Sequence, residues 1–271
     1  MQETIDLGPR LLLVASFVPD QAKLGDIGTD HAYLPIFLWE NKKIAQAIAV
    51  DVHEGPYQSA QAAIHSRGLD QWIDVRLGDG LKPIQPGEVE ALTLAGMGGN
   101  TMLDIFSASP DVLAQVGTLV LQPQGAEGKV RKSLLDSGWL LQDEQLIAEE
   151  GRIYGVIVFS RFEGKRLKEL SELKDQWLKR VYQRVNLQNK QVFKKEIQAA
   201  FERIFWKIGP LNLEYPVPEL EQLFLDSVEP LRKAITEMKK SLKEEVQIKM
   251  HQQEIVCTLL EEMKKWLFPS D

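Results

Sequence analysis

The sequence predicts an α/β protein: a mostly parallel sheet, covered by helices and closed by an antiparallel edge hairpin, precedes an all-helical region. Three observations carry this. From Leu7 to about Phe162, short apolar or β-branched runs alternate with helical patterns, the order that parallel strands joined by helical crossovers require. After Gly138 two apolar runs flank Glu149-Glu150-Gly151, which reads as a hairpin. Beyond Gly164 nothing reads as a strand, and apolar residues recur at three- and four-residue steps.

Strands are expected at Lys23 to Asp26, Gln46 to Asp51, Ile73 to Leu77, Ala91 to Ala95 and Thr118 to Gln122, each bounded by Gly, Pro or Asp on at least one side. Trp139 to Ala148 and Arg152 to Arg161 form the hairpin at the sheet edge. Five parallel strands followed by an antiparallel pair outline a Rossmann-like sheet with a modified end. A helix is expected over Asn100 to Phe106. Further on, Leu167, Leu170, Leu173, Trp177, Val181 and Val185 share a face, which Phe193, Ile197, Phe201 and Phe205 continue. That face belongs to one long helix or a broken pair. Gly209-Pro210 and Tyr215-Pro216-Val217-Pro218 interrupt it. A second stripe passes through Leu220, Phe224, Leu231, Ile235, Met238, Leu242, Val246, Met250, Val256, Leu260 and Met263. Two antiparallel helices packed as a coiled-coil hairpin would bury both stripes. The expected division is a sheet domain over 1–163 and an α-helical coiled-coil domain over 164–271.

A chain of 271 residues with 44% apolar content holds one sizeable core and an appendage, or two modest domains. The run Leu11 to Val18 is far shorter than a bilayer span and follows Glu3, Asp6 and Arg10 rather than a basic start. Neither a signal peptide nor a membrane helix is expected. The single cysteine, Cys257, excludes an internal disulfide framework and a thiolate cluster for zinc; no metal site is expected, and the expected compartment is cytoplasmic. The net charge of -7 is unevenly spread: residues 1–163 hold 12 Lys and Arg against 22 Asp and Glu, whereas 164–271 hold 20 against 17. Within 165–207 the balance is 12 basic to 5 acidic, interleaved with Trp177, Tyr182, Phe193, Phe201, Phe205 and Trp206. That segment suits a polyanionic partner, or is a solvated face backed by its packing residues.

The candidate site gathers at the strand ends. Asp26-x-Gly28 closes the first strand where open α/β sheets bind nucleotide-like ligands. A pyrophosphate-binding loop would place further glycines where Asp30 and Tyr33 stand. An anionic Asp30 repels a pyrophosphate and tolerates a sulfonium or ammonium, which favours S-adenosylmethionine over a dinucleotide. Asp51, followed by Val52, ends the second strand at the distance where a carboxylate meets a ribose diol. Asp79 and Gly80 follow the third strand, where an acceptor can take the exocyclic amine of an adenine. Ala95-Gly96-Met97-Gly98-Gly99 closes the fourth and gives the backbone room for a flat base or a ligand tail. Each acid alone is ordinary turn chemistry; their order at three successive strand ends makes the set informative. Gln122-Pro123-Gln124 sits on the same rim, and Arg10 is a candidate phosphate contact. His31 is a candidate acid or base, and Tyr33 can stack on a purine. Ser59, His65 and Asp70 lack the strand-turn-helix context of a hydrolase nucleophile.

With those residues in view, the chain resembles the bacterial tRNA (adenine-22-N1)-methyltransferase family. The resemblance rests on Leu11 to Val18, the stretch from Asp26 to Pro35, Glu54 to Ala60, Asp74 to Leu81, Ala95 to Gly99 and Leu121-Gln122-Pro123, and covers about residues 7–162. It implies a class I methyltransferase that uses S-adenosylmethionine to methylate N1 of an adenine in the D-arm of tRNA. The helical tail would then bind tRNA, the protein being a monomer or a weak dimer through that tail. The cofactor-binding set is Asp26, Gly28, Asp51, Val52, Asp79, Gly80, Ala95, Gly96, Met97 and Gly98; the catalytic set is Asp30, His31 and Tyr33. Adenine N1 carries an in-plane lone pair, so alignment outweighs a strong base. Asp30, then His31, would stabilise the cationic product and take a proton, and Tyr33 would stack on a flipped base. The alternatives are a methyltransferase acting on another RNA, a protein or a small molecule, and a non-catalytic S-adenosylmethionine-binding coiled-coil platform.

Overall fold

A computed structural model of the chain describes residues 5–184 and 194–269; Glu3, Val185 and Phe193, used above, lie outside the described residues. Two compact units separate at Arg166 and Leu167. The first contains α1 (Pro9–Phe17), β1 (Ala22–Ile27), α2 (Tyr33–Glu40), β2 (Ile44–Asp51), α3 (Glu54–Ser66), β3 (Ile73–Leu77), β4 (Ala91–Met97), α4 (Gly99–Ala108), α5 (Pro110–Ala114), β5 (Thr118–Pro123), α6 (Glu127–Asp136), β6 (Leu140–Glu149) and β7 (Arg152–Ser160).

The strands form one sheet in the order β3-β2-β1-β4-β5-β7-β6. The first five run parallel, and β7 enters antiparallel between β5 and β6. Every residue of β5 is buried, as a central strand covered on both faces must be. The hairpin turn works because Glu150 and Gly151 both take positive φ, 49° and 73°, the conformation a two-residue turn needs to match strand twist. Glu149 and Arg152 close it as the last strand pair. Behind the hairpin, Arg131 of α6 pairs with Glu144 of β6, and both side chains are almost wholly buried. The chain moves outward from β1 to β3 and returns to place β4 beside β1. The direction of winding therefore reverses between β1 and β4, and their carboxyl ends flank the crevice where ligands bind in such sheets.

Between β3 and β4 the chain makes turns rather than a helix. Arg76 of β3 holds this connection by donating to Glu88 at 2.6 and 2.9 Å and to the Pro83 carbonyl at 2.7 Å. The guanidinium keeps the Glu88 carboxyl charged, down to about 2 from its ordinary value.

The second unit is helical: α7 (Leu167–Arg184), α8 (Lys194–Ile208), α9 (Pro210–Glu214), α10 (Pro218–Met238) and α11 (Glu244–Leu267). The first stripe is a pair of helices rather than one rod. Lys174 lies 3.7 Å from Glu202, and the Tyr182 hydroxyl donates to the Lys194 carbonyl at 3.1 Å, so α7 and α8 run antiparallel. Trp177, Phe201, Phe205 and Trp206 are buried. The aromatics between the basic residues therefore form the packing face, and only Tyr182 among the described ones is exposed. The second stripe departs from expectation in a different way. It turns at Lys239 to Lys243, and Leu242, assigned to the buried face, is 99% exposed. The helical hairpin forms inside this second stripe, from α10 and α11, with α11 also packing on α8. Periodicity alone bridges a turn whenever the spacing across it stays near a multiple of 3.6. No helix among the described residues is long and apolar enough to cross a membrane.

Candidate active site

The site is built on the carboxyl ends of β1, β2 and β4. Asp26 and Thr93 are register partners on β1 and β4, and Thr93 donates its hydroxyl to Asp26 Oδ1 at 2.7 Å. Thr29 donates to Asp26 Oδ2, also at 2.7 Å. The Asp26 carboxylate is buried and both oxygens are engaged. Burial pushes its pKa up, the two hydroxyls pull it back, and the nearby Asp51 charge raises it again. Asp26 thus builds the floor of the crevice. Besides any ligand contact, its carboxylate has a structural role that the sequence does not signal: it is braced by the two threonines.

The loop after β1 is held by its neighbour strand. The Gly28 and Thr29 amides both donate to the Val50 carbonyl, at 2.8 and 3.1 Å. Asp51 then accepts the Asp30 amide on Oδ2 at 3.3 Å and the His53 amide on Oδ1 at 2.9 Å. Between them the chain takes positive φ at Gly28, Asp30 and Ala32, at 78°, 52° and 56°. For the last two this is a strained conformation. A Cβ at Gly28 would come within 3.0 Å of Met97 Cε, so the first loop and the end of β4 meet across the crevice. The strain turns the Asp30, His31 and Tyr33 side chains outward: all three are exposed to a large extent. His31 and Tyr33 stack with centroids 5.1 Å apart and planes at 15°, while His31 Nε2 lies 3.6 Å from Asp30 Oδ1.

Two of the three glycines after Ala95 have a physical cause. Gly96 takes φ 80°, and a Cβ on Gly99 would lie 2.6 Å from the Gly125 carbonyl oxygen. Gly98 caps the start of α4 with ordinary extended backbone. Val52 is exposed next to Asp51. Asp79 and Gly80 stand in the turn after β3; Asp79 is exposed and its Oδ2 accepts from Lys82 Nζ at 2.6 Å. Gly80 takes φ 58°, where a Cβ would press Ile105 of α4 at 2.8 Å.

Sequence reasoning missed Thr29 and Thr93, although a threonine inside the apolar run Ala91-Leu92-Thr93-Leu94 is a detectable anomaly. It also missed Glu149, which fixes Arg10 by an ion pair at 3.2 Å. Arg10 is thereby occupied within the fold and is not the free phosphate contact expected. His65 and Asp70 meet at 3.2 Å on the surface. The open cavity of about 410 Å³ lined by Lys23, Gln46, Trp72, Asp74 and Arg76 draws on the first halves of β1 and β2, away from this crevice.

A sheet of this order, with acids and glycines arrayed on the carboxyl rim at the winding reversal, defines a Rossmann-like methyltransferase domain. The chain belongs to the methyltransferase-domain family, whose model matches residues 7–157. It is 40% identical over 154 residues to the tRNA (adenine(22)-N(1))-methyltransferase of Bacillus subtilis (strain 168), an alignment spanning 57% of this chain and 65% of that relative. Among solved structures it is similar to the m1A22 tRNA methyltransferase of B. subtilis, with a TM-score of 0.75 and 28% identity over 96% of this chain and 99% of that one. It is also similar to Streptococcus pneumoniae Sp1610 in complex with S-adenosyl-L-methionine, with a TM-score of 0.70 and 31% identity over 94% of this chain and 100% of that one.

The buried Asp26 brace yields a pH-dependent prediction. A folded-state pKa above the ordinary 3.8 means that the native state holds this proton more tightly than the unfolded chain does. The stabilisation is complete below the unfolded pKa and is lost as pH rises through the folded one. Thr93→Val removes a donor to the charged form and raises the folded pKa further. The variant is expected to lose about 1.5–3 kcal/mol where Asp26 is ionised, and less in the acid range. Urea unfolding across pH 4 to 8 measures this; a loss independent of pH would show that Thr93 does not serve the carboxylate charge.

Proposed function

We propose that the chain is an S-adenosylmethionine-dependent tRNA methyltransferase that places a methyl group on N1 of adenine 22 in the D-arm. One structural observation carries the reading. The acidic, strained loop from Gly28 to Tyr33 sits on the rim of a methyltransferase crevice and presents an exposed carboxylate beside a stacked ring pair. The similarity to the m1A22 enzyme of B. subtilis, in sequence and in structure, supports the choice of base.

The residues present fit the methyl donor. Gly28 leaves open the place a Cβ would fill against Met97. Each oxygen of Asp51 keeps a lone pair after accepting one amide, so it can take ribose hydroxyls. Val52 lies beside it to face an adenine ring, and Gly80, Ala95, Gly96, Met97 and Gly98 line the remaining rim. Asp79 can take the ring amine by leaving Lys82. When bound, S-adenosylmethionine supplies a methyl group on a sulfonium, which the in-plane lone pair of adenine N1 takes without a strong base.

The work left to the protein is therefore positioning and charge. N1 lies on the Watson-Crick edge, so the base must leave its pair, and the His31-Tyr33 stack offers a flat surface to receive it. The methylated adenine is cationic. Asp30, exposed and held by its own backbone rather than by an ion pair with Lys or Arg, stabilises that charge and is the first acceptor for a proton; His31 is the second. In the second unit Arg180 and Arg184 lie over the Trp177 and Trp266 rings, whereas Lys179 of α7 and Arg203 of α8 are exposed and supply phosphate contacts.

Incubating the protein with unmodified tRNA and labelled S-adenosylmethionine, then mapping the modified nucleoside, tests the reading. The expected product is 1-methyladenosine at position 22; another methylated nucleoside, or none with folded and ligand-competent protein, would refute it. Asp30→Ala is expected to lower kcat by about 100-fold, with donor affinity nearly unchanged in calorimetry; unchanged turnover would remove Asp30 from the chemistry. Replacing both Lys179 and Arg203 by Glu should weaken tRNA binding and flatten its dependence on salt by about one unit of log-log slope for each lost phosphate contact. Salt-independent weakening would assign these residues a structural role.

A further inference from the structure

Arg10 forms a junction that the methyl-transfer reading does not use. It is the second residue of α1 and reaches three other parts of the rim. Its Nη1 donates to Gln122 Oε1 at 2.8 Å, and its Nε donates to Glu149 Oε2 at 3.2 Å. Its backbone amide donates to Glu149 Oε1 at 3.0 Å, and the guanidinium carbon lies 5.6 Å from the Tyr154 ring centre. Glu149 therefore accepts an amide at the start of α1 and neutralises Arg10 in its first turn. The approach requires Gly8, where a Cβ would fall 2.5 Å from Glu149 Oε1.

Gln122 passes the constraint to the site. Its side chain is fully buried at the end of β5, and its Oε1 accepts the Gly96 amide at 3.1 Å in addition to Arg10. Its Nε2 donates to the Pro123 carbonyl at 3.2 Å. Reversing the amide would point an NH2 group at two donors, so Arg10 and the Gly96 amide together determine which way Gln122 faces. The accepted amide belongs to Gly96, whose φ of 80° starts the turn that carries Met97 and Gly98.

We infer that Arg10 is a positioning residue for methyl transfer: through Gln122 it sets the left-handed turn at Gly96, and Glu149 holds it in a pair without net charge. Pairing matters because both the donor and the methylated adenine are cations, which an unpaired guanidinium on this rim would repel. The kinetic part of this inference rests on the proposed methyltransferase reading; the structural part does not.

The test uses full-length protein with Arg10→Lys, Arg10→Ala and Gln122→Ala, and three measurements. Lysine keeps the charge but lacks the fork that reaches Glu149 and Gln122 together. In Arg10→Lys, amide hydrogen exchange at Gly96 is expected to accelerate while the unfolding midpoint stays near that of the wild type. The same variant should lose roughly tenfold or more in kcat, with KM for tRNA within about twofold. Adding Gln122→Ala to Arg10→Ala should cost little further kcat, since the two act as a unit. A raised KM with a shallower salt dependence and unchanged kcat would instead make Arg10 a phosphate contact and overturn the inference. Unchanged exchange at Gly96 would overturn it equally, whatever the kinetics. If wild-type protein makes no 1-methyladenosine, the functional reading fails, and the exchange measurement still decides whether Arg10 sets the turn.

Discussion

The carboxylate of Asp26, sealed between Thr29 and Thr93, is the constraint on which the crevice depends. A buried ionised carboxylate is costly unless both oxygens are satisfied, and here the partners come from two directions. Thr93 ties β4 to β1 in register, while Thr29 pulls the following loop back over the end of β1. With that loop turned inward, the Gly28 and Thr29 amides fall on the Val50 carbonyl and the Asp30 amide falls on Asp51. Two strand ends and one strained loop are thereby tied into a unit. The positive φ values at Asp30 and Ala32 are a consequence, sustained because hydrogen bonds on either side determine the backbone.

The opposite side of the rim has its own brace. Gln122 sits between the cation of Arg10 and the Gly96 amide, and the contacts of Glu149 reach from the hairpin turn to the first helix. The antiparallel pair added to the parallel sheet thus has a use at the crevice: its turn places a carboxylate where α1 begins. Sequence-distant elements converge on one buried amide, so a change in the hairpin turn can alter the fourth strand's loop without touching it.

The strands were legible because their signals are local. Runs such as Leu119-Val120-Leu121 within β5 put apolar residues on both faces, and Glu150-Gly151 supplies the turn that only certain residues allow. The candidate acids were legible as positions at strand ends, and the crevice does bring the loops of Asp26, Asp51 and Gly96 together. Their division of labour was not. That the Asp26 carboxylate is braced by a pair of threonines depends on Thr93, 67 residues away, and no spacing encodes that. Arg10 was misjudged for the same reason, its partner being 139 residues away. In the helical unit, the stripe through Leu242 was read as continuous because a turn of suitable length preserves the period.

The charge distribution fits two demands that oppose each other. In the proposed function the rim holds a sulfonium and stabilises a methylated adenine, so it must be negative or neutral, and this one is: Asp30 and Asp51 stand on it, while the cation nearest the Gly96 turn is cancelled by Glu149. Such a rim repels phosphates. In the proposed function RNA affinity then comes from residues outside the catalytic loops, for which the excess of basic residues in 165–207 is the candidate. Buried aromatics beneath those residues argue for contact through phosphates rather than through base stacking. On that proposal base choice falls to the crevice, with the exposed His31-Tyr33 stack as the proposed flat surface for a flipped adenine.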